Sequence, residues 1–114
     1  MLVFKLLTPD EMAAYNLAQE APLSPADERD GYVHLSTAAQ VAETAGRHFA
    51  GAHALWLLAV ETDRLGERLQ WEEARGGDSF PHYHGRLSTR HVVWTRPLQR
   101  GMDGRFRFPE EIGP

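Results

Sequence analysis

The run ALWLLAVET, residues 54–62, is the most strand-like stretch of the chain, and it indicates how the rest is arranged. Its first seven residues are all apolar, whereas a strand with one face in water alternates apolar and polar side chains. A strand that is apolar on both faces is typical of the middle of a covered sheet. The run therefore predicts a central strand, and we expect the flanking segments to supply its neighbours and its cover.

The segment before this run opens with a first strand and a helix. Residues 2–7, LVFKLL, predict the strand. Thr8 then has the hydroxyl of an N-cap, Pro9 suits the first helical position, and Glu11 stands where a capping box needs a carboxylate. We therefore expect a helix to begin directly after the first strand.

A second strand and a second helix are predicted between that helix and the central run. Residues 26–31, ADERDG, have the composition of an acidic loop, and residues 32–36, YVHLS, follow as a strand. Thr37 has Gln40 three residues later, which again is a capping-box spacing. Thr37 is accordingly predicted to be the N-cap of the second helix.

Short strands dominate the remainder of the chain. Residues 69–74, LQWEEA, and residues 91–98, HVVWTRPL, predict strands, and Asp103 with Gly104 predicts a hairpin turn near the end. Residues 80–85, FPHYHG, contain Pro81 and are expected along a sheet edge or in a turn. The whole pattern predicts one α+β domain over residues 1–114, with mixed, mostly antiparallel short sheets and two N-terminal helices.

Composition excludes several classes of chemistry. The 114 residues include no cysteine, so disulfides and a cysteine nucleophile are both impossible. Neither a Gly-x-Gly-x-x-Gly pattern after a strand, nor a Walker-type phosphate loop, nor a Gly-x-Ser-x-Gly motif is present. A net charge of −4 argues against nucleic acid as a partner, although four arginines lie between residues 96 and 107. No apolar run is long enough for a membrane span, and we expect a cytoplasmic protein without a membrane partner.

GYVHLST, residues 31–37, contains the first candidate site. At the two-residue period of a strand, Val33 and Leu35 share one face and belong to the core. Tyr32, His34 and Ser36 share the other face, which could line a ligand cleft or could be a partly exposed polar surface. A helix starting at Thr37 would also present free N–H groups, which suit a phosphate.

Two further polar clusters follow. If Trp71 enters the core, Glu72 points the opposite way and could be either a site carboxylate or a solvated surface residue. His82 and His84 are two residues apart, so on a strand they share a face and could chelate a metal, with His34 or Glu72 completing the set. A histidine pair alone is a weak signal, and no metal ligand is assigned.

The three clusters together resemble a known family. GYVHLSTAAQV (31–41), LQWEEARGGDSFPHYHG (69–85) and the closing DGRFRFP (103–109) resemble the small bacterial proteins catalogued as DUF 952, a domain of unknown function. That resemblance implies the ADP-ribosyltransferase-like fold, in which two short sheets pack around an NAD cleft. His34 matches the early-strand histidine that holds a ribose hydroxyl, and Glu72 is the counterpart of the later carboxylate.

The resemblance also implies binding residues and a reaction. His34 and Glu72 would be catalytic, and NAD would be a substrate rather than a cofactor. Either Arg75 or Arg86 would neutralise a pyrophosphate, and His82 or Tyr83 would wall the site. The family usually has its tyrosine one residue later, so on a strand Tyr83 would face the other way here. The residues predicted to bind substrate are Tyr32, Ser36, Thr37, Arg75, Phe80, His82 and Tyr83.

Three functions stay open at this point. The chain could be an ADP-ribosyl or related transferase or glycohydrolase acting on a nucleotide of the NAD type. It could instead be a non-catalytic domain that binds a small molecule or a protein. A metal-assisted hydrolase that uses His82, His84 and His34 is the weakest of the three. The oligomeric state is not indicated by the sequence.

Overall fold

The central strand organises a three-stranded antiparallel sheet in the computed structural model, which describes residues 1–112 without the side chains of Arg75 and Glu111. Strand β3 (Ala54–Glu61) lies between β1 (Leu2–Leu7) and β6 (Val92–Gln99). Both pairings are antiparallel, and a bulge interrupts the β3–β6 register next to Ala59. The prediction of a central strand at residues 54–62 is confirmed as far as Glu61, and Thr62 begins a short helix.

Both faces of this first sheet are covered, which explains why β3 is apolar from Ala54 to Val60. Leu58 and Val60 point into one hydrophobic cluster, together with side chains of the helix after β1 and of the second sheet. Leu55 and Leu57 point into another cluster, beneath the third helix and the C-terminal segment. Because successive side chains of a strand face opposite ways, only a continuous apolar run can fill both clusters.

Helix α1 (Pro9–Ala18) begins as predicted. The Thr8 hydroxyl accepts a hydrogen bond from the Glu11 amide at 3.2 Å, and the Glu11 carboxylate accepts one from the Thr8 amide at 3.0 Å. This reciprocal pair satisfies two N–H groups at the helix start. Met12 and Tyr15 are the buried residues of the helix.

The expected acidic loop is wrong, because residues 25–30 form a second helix. Helix α2 (Pro25–Asp30) has Ser24 as its N-cap, and Asp27 completes a capping box with it. Gly31 ends the helix with φ at +84°, a conformation that glycine adopts without steric cost. Three helices therefore precede β3 instead of the two that were predicted.

Helix α3 (Val41–His48) starts later than the sequence predicted. Gln40 occupies its N-cap position and makes no capping bond, whereas Thr37 lies one turn earlier. The Gln40 side chain accepts a hydrogen bond from the Thr37 amide at 3.1 Å, so half of a capping box is present. The same side chain also donates to the Ser79 carbonyl at 2.8 Å. Thr37 thus heads a turn that leads into α3, and the N-cap prediction is wrong.

The second sheet has the order β2-β5-β4 and is antiparallel. Its strands are β2 (Val33–His34), β4 (Leu69–Glu73) and β5 (Ser79–Tyr83), and a four-residue helix, α4 (Thr62–Leu65), precedes β4. The prediction of an edge position for residues 80–85 is wrong, since β5 is the middle strand. Pro81 is tolerated there because β2 is only two residues long, and the Pro81 carbonyl still accepts from the Leu35 amide at 3.1 Å.

The C-terminal segment folds back as a hairpin-like turn. Gly104 has φ at +81°, its amide donates to the Gly101 carbonyl, and Arg100 bridges to Phe106. The Arg100 guanidinium donates to three carbonyls of residues 49–52 and lies 4.2 Å from the centre of the Phe106 ring. Arg100 therefore connects the C-terminal segment to the loop that follows α3. None of the helices in residues 1–112 has the length and apolar character needed to cross a bilayer.

Candidate functional site

One face of the second sheet carries a cluster of aromatic and imidazole rings. His34 on β2 is paired with His82 on β5, and Glu72 on β4 is paired with Phe80 on β5. Directly opposed residues share a face, and residues two apart on a strand share it as well. We call Tyr32, His34, His82 and His84 the ring cluster.

Tyr32 is the centre of this cluster. Its ring is stacked on His82, with ring centres 4.0 Å apart and planes inclined by 21°. The ring centres of His34 and His84 lie 4.7 and 5.2 Å from that of Tyr32. The rings of His34 and His82 are 5.6 Å apart at their centres. Three of the residues predicted from the sequence to form a site therefore lie side by side.

Glu72 joins the ring cluster through one carboxylate oxygen. Its Oε1 lies 2.8 Å from Nδ1 of His82 and 3.0 Å from Nε2 of His84. These hydrogen bonds hold the pKa of Glu72 below its ordinary value. Burial lowers the pKa of His82, although the neighbouring carboxylate opposes that shift. The pair is thus an ionised carboxylate beside a buried ring that favours its neutral form.

His34 is held from the inside by Asp27, a residue that the sequence reading did not propose. Asp27 Oδ1 lies 2.7 Å from Nδ1 of His34, and the Asp27 side chain has no exposed surface. Its other oxygen accepts a hydrogen bond from Lys5 Nζ at 2.9 Å. Burial alone would raise the pKa of Asp27, but the hydrogen bond with His34 and the charge of Lys5 outweigh burial and hold it well below its usual range.

The outer side of the His34 ring faces a second carboxylate. Asp30 Oδ2 lies 2.9 Å from Nε2 of His34. A hydrogen bond from Arg29, together with the one from His34, lowers the pKa of Asp30 to about 2. The Asp30 side chain is 28% exposed and that of His34 is 33% exposed, so this outer contact is at the surface. A ligand could therefore reach Nε2 by displacing Asp30, whereas Nδ1 is inaccessible.

Lys5, Asp27 and Asp30 are the residues that sequence reasoning missed, and two signals could have found them. Ser24, Pro25 and Asp27 repeat the capping pattern of Thr8, Pro9 and Glu11, so a helix was readable in the acidic segment. Lys5 is the one charged residue in the apolar run LVFKLL. A lysine in such a strand needs a buried partner, and Asp27 is that partner.

Ser36 and Thr37, both predicted to bind substrate, lie away from the ring cluster. Ser36 is 4% exposed, forms an isolated bridge with Phe4, and lies 3.0 Å by its hydroxyl from the Thr44 hydroxyl on α3. Its role in the structure is to connect the end of β2 to the first sheet and to α3. Thr37 follows it in the turn already described.

Tyr83, Phe80 and Arg75 complete the predicted set. Tyr83 is on the opposite face of β5 from His82, is 7% exposed, and packs in the core against His91 at 5.4 Å between ring centres. Tyr83 therefore faces the core and does not line the ring cluster, so its predicted contact with a substrate is wrong. Phe80 is partly buried on the same face as Glu72. The Arg75 side chain lies outside the described part of the structure.

An open concavity of about 310 Å³ adjoins the ring cluster. Tyr32, His84 and Arg86 are among the residues that line it. The Arg86 guanidinium lies 2.9 Å from a carboxylate oxygen of Glu20. The concavity therefore offers an aromatic ring, an imidazole and a cation within reach of one small ligand.

His82 and His84 each direct a ring nitrogen at the same carboxylate oxygen of Glu72. Within the described residues, no group of three or more histidine, aspartate or glutamate side chains is arranged to hold a metal ion. Metal chemistry at this histidine pair thus receives no support from the geometry.

Comparison with known proteins identifies relatives of the chain. A family model described as "Protein of unknown function (DUF952)" matches residues 6–95. The crystal structure of protein CC0527 from Caulobacter crescentus is similar, with 37% identity, 98% of each chain covered and a TM-score of 0.90. The solution NMR structure of the same protein has 39% identity, covers 91% of this chain and 90% of its own, and has a TM-score of 0.81. No curated protein matches the chain.

Proposed function

The chain belongs to the DUF952 family, and we propose that it binds a nucleotide of the NAD type at the ring cluster and acts on it as an ADP-ribosyl transferase or glycohydrolase. In this proposal His34 and Glu72 are the catalytic residues. The two three-stranded sheets would correspond to the two short sheets that the ADP-ribosyltransferase-like fold packs around an NAD cleft. NAD would be a substrate, and no resident cofactor is needed.

The observation that carries the proposal is the convergence of the His34, His82 and Glu72 side chains on one surface. The three residues belong to three different strands, and His34 precedes both Glu72 and His82 by more than thirty residues in the sequence. Nevertheless the His34 and His82 ring centres are 5.6 Å apart, and Glu72 contacts His82 at 2.8 Å. Had these side chains lain on separate surfaces, a shared substrate would have been impossible.

The proposed reaction needs stabilisation of a positive charge and a correctly oriented ribose, and Glu72 and His34 can supply these two contributions. The bond between C1 of the ribose and the nicotinamide nitrogen breaks, and the nicotinamide leaves with the bonding electron pair. Positive charge develops on the ribose, and the ionised Glu72 would stabilise it. Water or an acceptor hydroxyl then adds to C1 and releases its proton, with His34 orienting the ribose through Nε2.

The surroundings suit the remaining parts of a dinucleotide. Tyr32 presents a ring beside the concavity and could stack on a flat base. Arg86 lines the same concavity and could pair with a pyrophosphate, exchanging Glu20 for the ligand. Both interactions are ordinary for nucleotide sites, and they require only side-chain movement at the surface.

Binding and turnover can be measured separately. NAD and ADP-ribose, titrated by calorimetry and by thermal unfolding, should raise the unfolding midpoint of the wild-type protein, because a ligand that binds only the folded state stabilises it. His34→Ala should abolish the rise. Glu72→Gln should retain binding but lose release of nicotinamide, followed by chromatography. His53→Ala, at an exposed position before β3, is the matched control and should behave as wild type.

The alternative is a non-catalytic domain that binds a small molecule at the same surface. One observation favours it. The Oε1 atom of Glu72 already accepts hydrogen bonds from two histidines, so this oxygen is not free to face a substrate. Binding of NAD without nicotinamide release by the wild-type protein would establish this alternative. Absence of binding to NAD and ADP-ribose at millimolar concentration would overturn the nucleotide proposal.

A further inference from the structure

Lys5 and Asp27 form a buried ion pair between the two sheets. Lys5 is on β1, and its Nζ lies 2.9 Å from Asp27 Oδ2. The two side chains are 6% and 0% exposed. Asp27 also accepts a hydrogen bond from the Ser24 amide at 3.1 Å, as part of the capping box of α2. The pair therefore connects β1 to α2 through the interior.

Both members of this pair also bind His34. Asp27 Oδ1 accepts a hydrogen bond from the His34 amide at 3.0 Å and lies 2.7 Å from the ring Nδ1. Lys5 Nζ donates to the His34 carbonyl at 3.3 Å. The amide, the carbonyl and the inner ring nitrogen of His34 are thus all bound by two buried charged groups.

We propose that Lys5 and Asp27 are positioning residues that hold His34 with a hydrogen on Nδ1 and with Nε2 directed outward. An ionised carboxylate only accepts hydrogen bonds, so Nδ1 has to donate to Asp27 and Nε2 has to donate to Asp30. A neutral ring has one hydrogen for the two carboxylates, and the contact with Asp27 is both the shorter and the buried one, so the hydrogen lies on Nδ1. Nε2 is then the atom available at the surface, and its use on a substrate rests on the function proposed above.

Stability alone does not explain a lysine at this position of β1. Replacing a buried ion pair by well-packed apolar residues is often neutral or stabilising, because both charges must leave water. An apolar residue would also continue the pattern of LVFKLL. The three hydrogen bonds to His34 give the pair a specific task that an apolar replacement could not perform.

Asp30 is the neighbouring group that competes with Asp27 for the hydrogen of the His34 ring, because it lies against Nε2. The residues that contact the His34 ring from the elements around it are Asp27 and Asp30 from α2, Tyr32 from the segment before β2, and His82 from β5. Lys5 reaches only the carbonyl. Of these, Asp27 alone meets Nδ1, so its removal should change the ring tautomer directly.

The test is a long-range ¹H–¹⁵N NMR measurement of the histidine rings at pH 8.5, without ligand. The His34 signals are assigned by their loss in His34→Gln. In the wild-type protein Nδ1 of His34 should carry the hydrogen. In the double variant Lys5→Met with Asp27→Leu, which leaves neither an unpaired buried charge nor an acceptor opposite Nδ1, the hydrogen should move mainly to Nε2, where Asp30 accepts it. Glu72→Gln is the matched carboxylate control and should leave the His34 pattern unchanged.

The ligand-free spectrum decides the proposal independently of any activity. An unprotonated Nδ1 in the wild-type protein, or a protonated Nδ1 retained in the double variant, would overturn it. If NAD binding is confirmed in the wild type and lost in His34→Ala, the double variant should bind about tenfold more weakly, the value of one hydrogen bond to a charged group. Unchanged affinity in that case would also overturn the positioning role. If the wild type binds no NAD, the function fails while the tautomer result still stands.

Discussion

The two three-stranded sheets differ in burial and in the side chains that they carry. The first sheet, β1-β3-β6, has a hydrophobic cluster on each side and a central strand whose middle residues are fully buried. The second sheet, β2-β5-β4, packs one face on the core and presents the ring cluster, with Glu72, on the other. Stability is concentrated in the long apolar sheet, and candidate chemistry is concentrated in the short one.

The two sheets are nevertheless connected at the candidate site. Phe4 bridges to Ser36 next to β2, and Lys5, the neighbouring residue of β1, binds Asp27. A strand of two residues has few ladder hydrogen bonds of its own. These contacts from β1 therefore fix the position of β2, and with it the position of His34.

The largest expected effect on stability comes from making the same substitution, leucine to alanine, once in each sheet. Leu57→Ala in β3 removes a fully buried side chain and should lower the free energy of unfolding by about 2–5 kcal/mol. Leu69→Ala in β4 removes a side chain that is only partly buried, so its loss should be clearly smaller. Urea unfolding at equilibrium measures both. Equal losses would contradict the assignment of stability to the first sheet.

The next effect is the loss of stability at low pH, and it should differ between the carboxylates of Asp27 and Glu72. Because the pKa of Asp27 is lowered in the folded protein, the unfolded chain takes up the proton first as the pH falls. The stability that this carboxylate contributes is present above the unfolded pKa of about 4 and is lost as the pH decreases further.

The free energy of unfolding, measured between pH 7 and pH 2, should therefore fall steeply as the pH decreases. In the double variant Lys5→Met with Asp27→Asn the fall should be shallower. Glu72→Gln is the comparison. The pKa of Glu72 is lowered too, but its side chain is 42% exposed, so solvent screens its interactions. An acid decline that Glu72→Gln flattens as much as the double variant would contradict the difference between the two carboxylates.

The sequence predicted those features that depend on local pattern. The continuous apolar run identified β3 as central, because both of its faces must be covered. Period-two alternation separated Val33 and Leu35 from His34, and it placed His82 and Tyr83 on opposite faces. In each case one strand carries the information, and no knowledge of its partners is needed.

Features that depend on tertiary contacts were predicted wrongly or not at all. Pro81 indicated an edge, but the shortness of β2 leaves room for it in the middle strand. The acidic composition of residues 26–31 indicated a loop, but residues 25–30 form a helix. Its Asp27 is stabilised by Lys5, which is twenty-two residues away along the chain. The convergence of His34 with Glu72 depends on the cross-strand register, which the spacing in the sequence does not contain.

The smallest effect compares two threonines that the sequence presents as equivalent N-caps. Thr8→Ala removes a reciprocal capping box and should lower the free energy of unfolding by about 1 kcal/mol. Thr37 has no such role, because α3 starts at Val41, and the hydrogen bonds that join Thr37 to Gln40 and Val41 use its backbone amide and carbonyl. Thr37→Ala should therefore change stability by less than about 0.5 kcal/mol. Equal losses for the two variants would mean that the Thr37 hydroxyl caps α3 in solution, and the turn at residues 37–40 would then have to be a first turn of that helix.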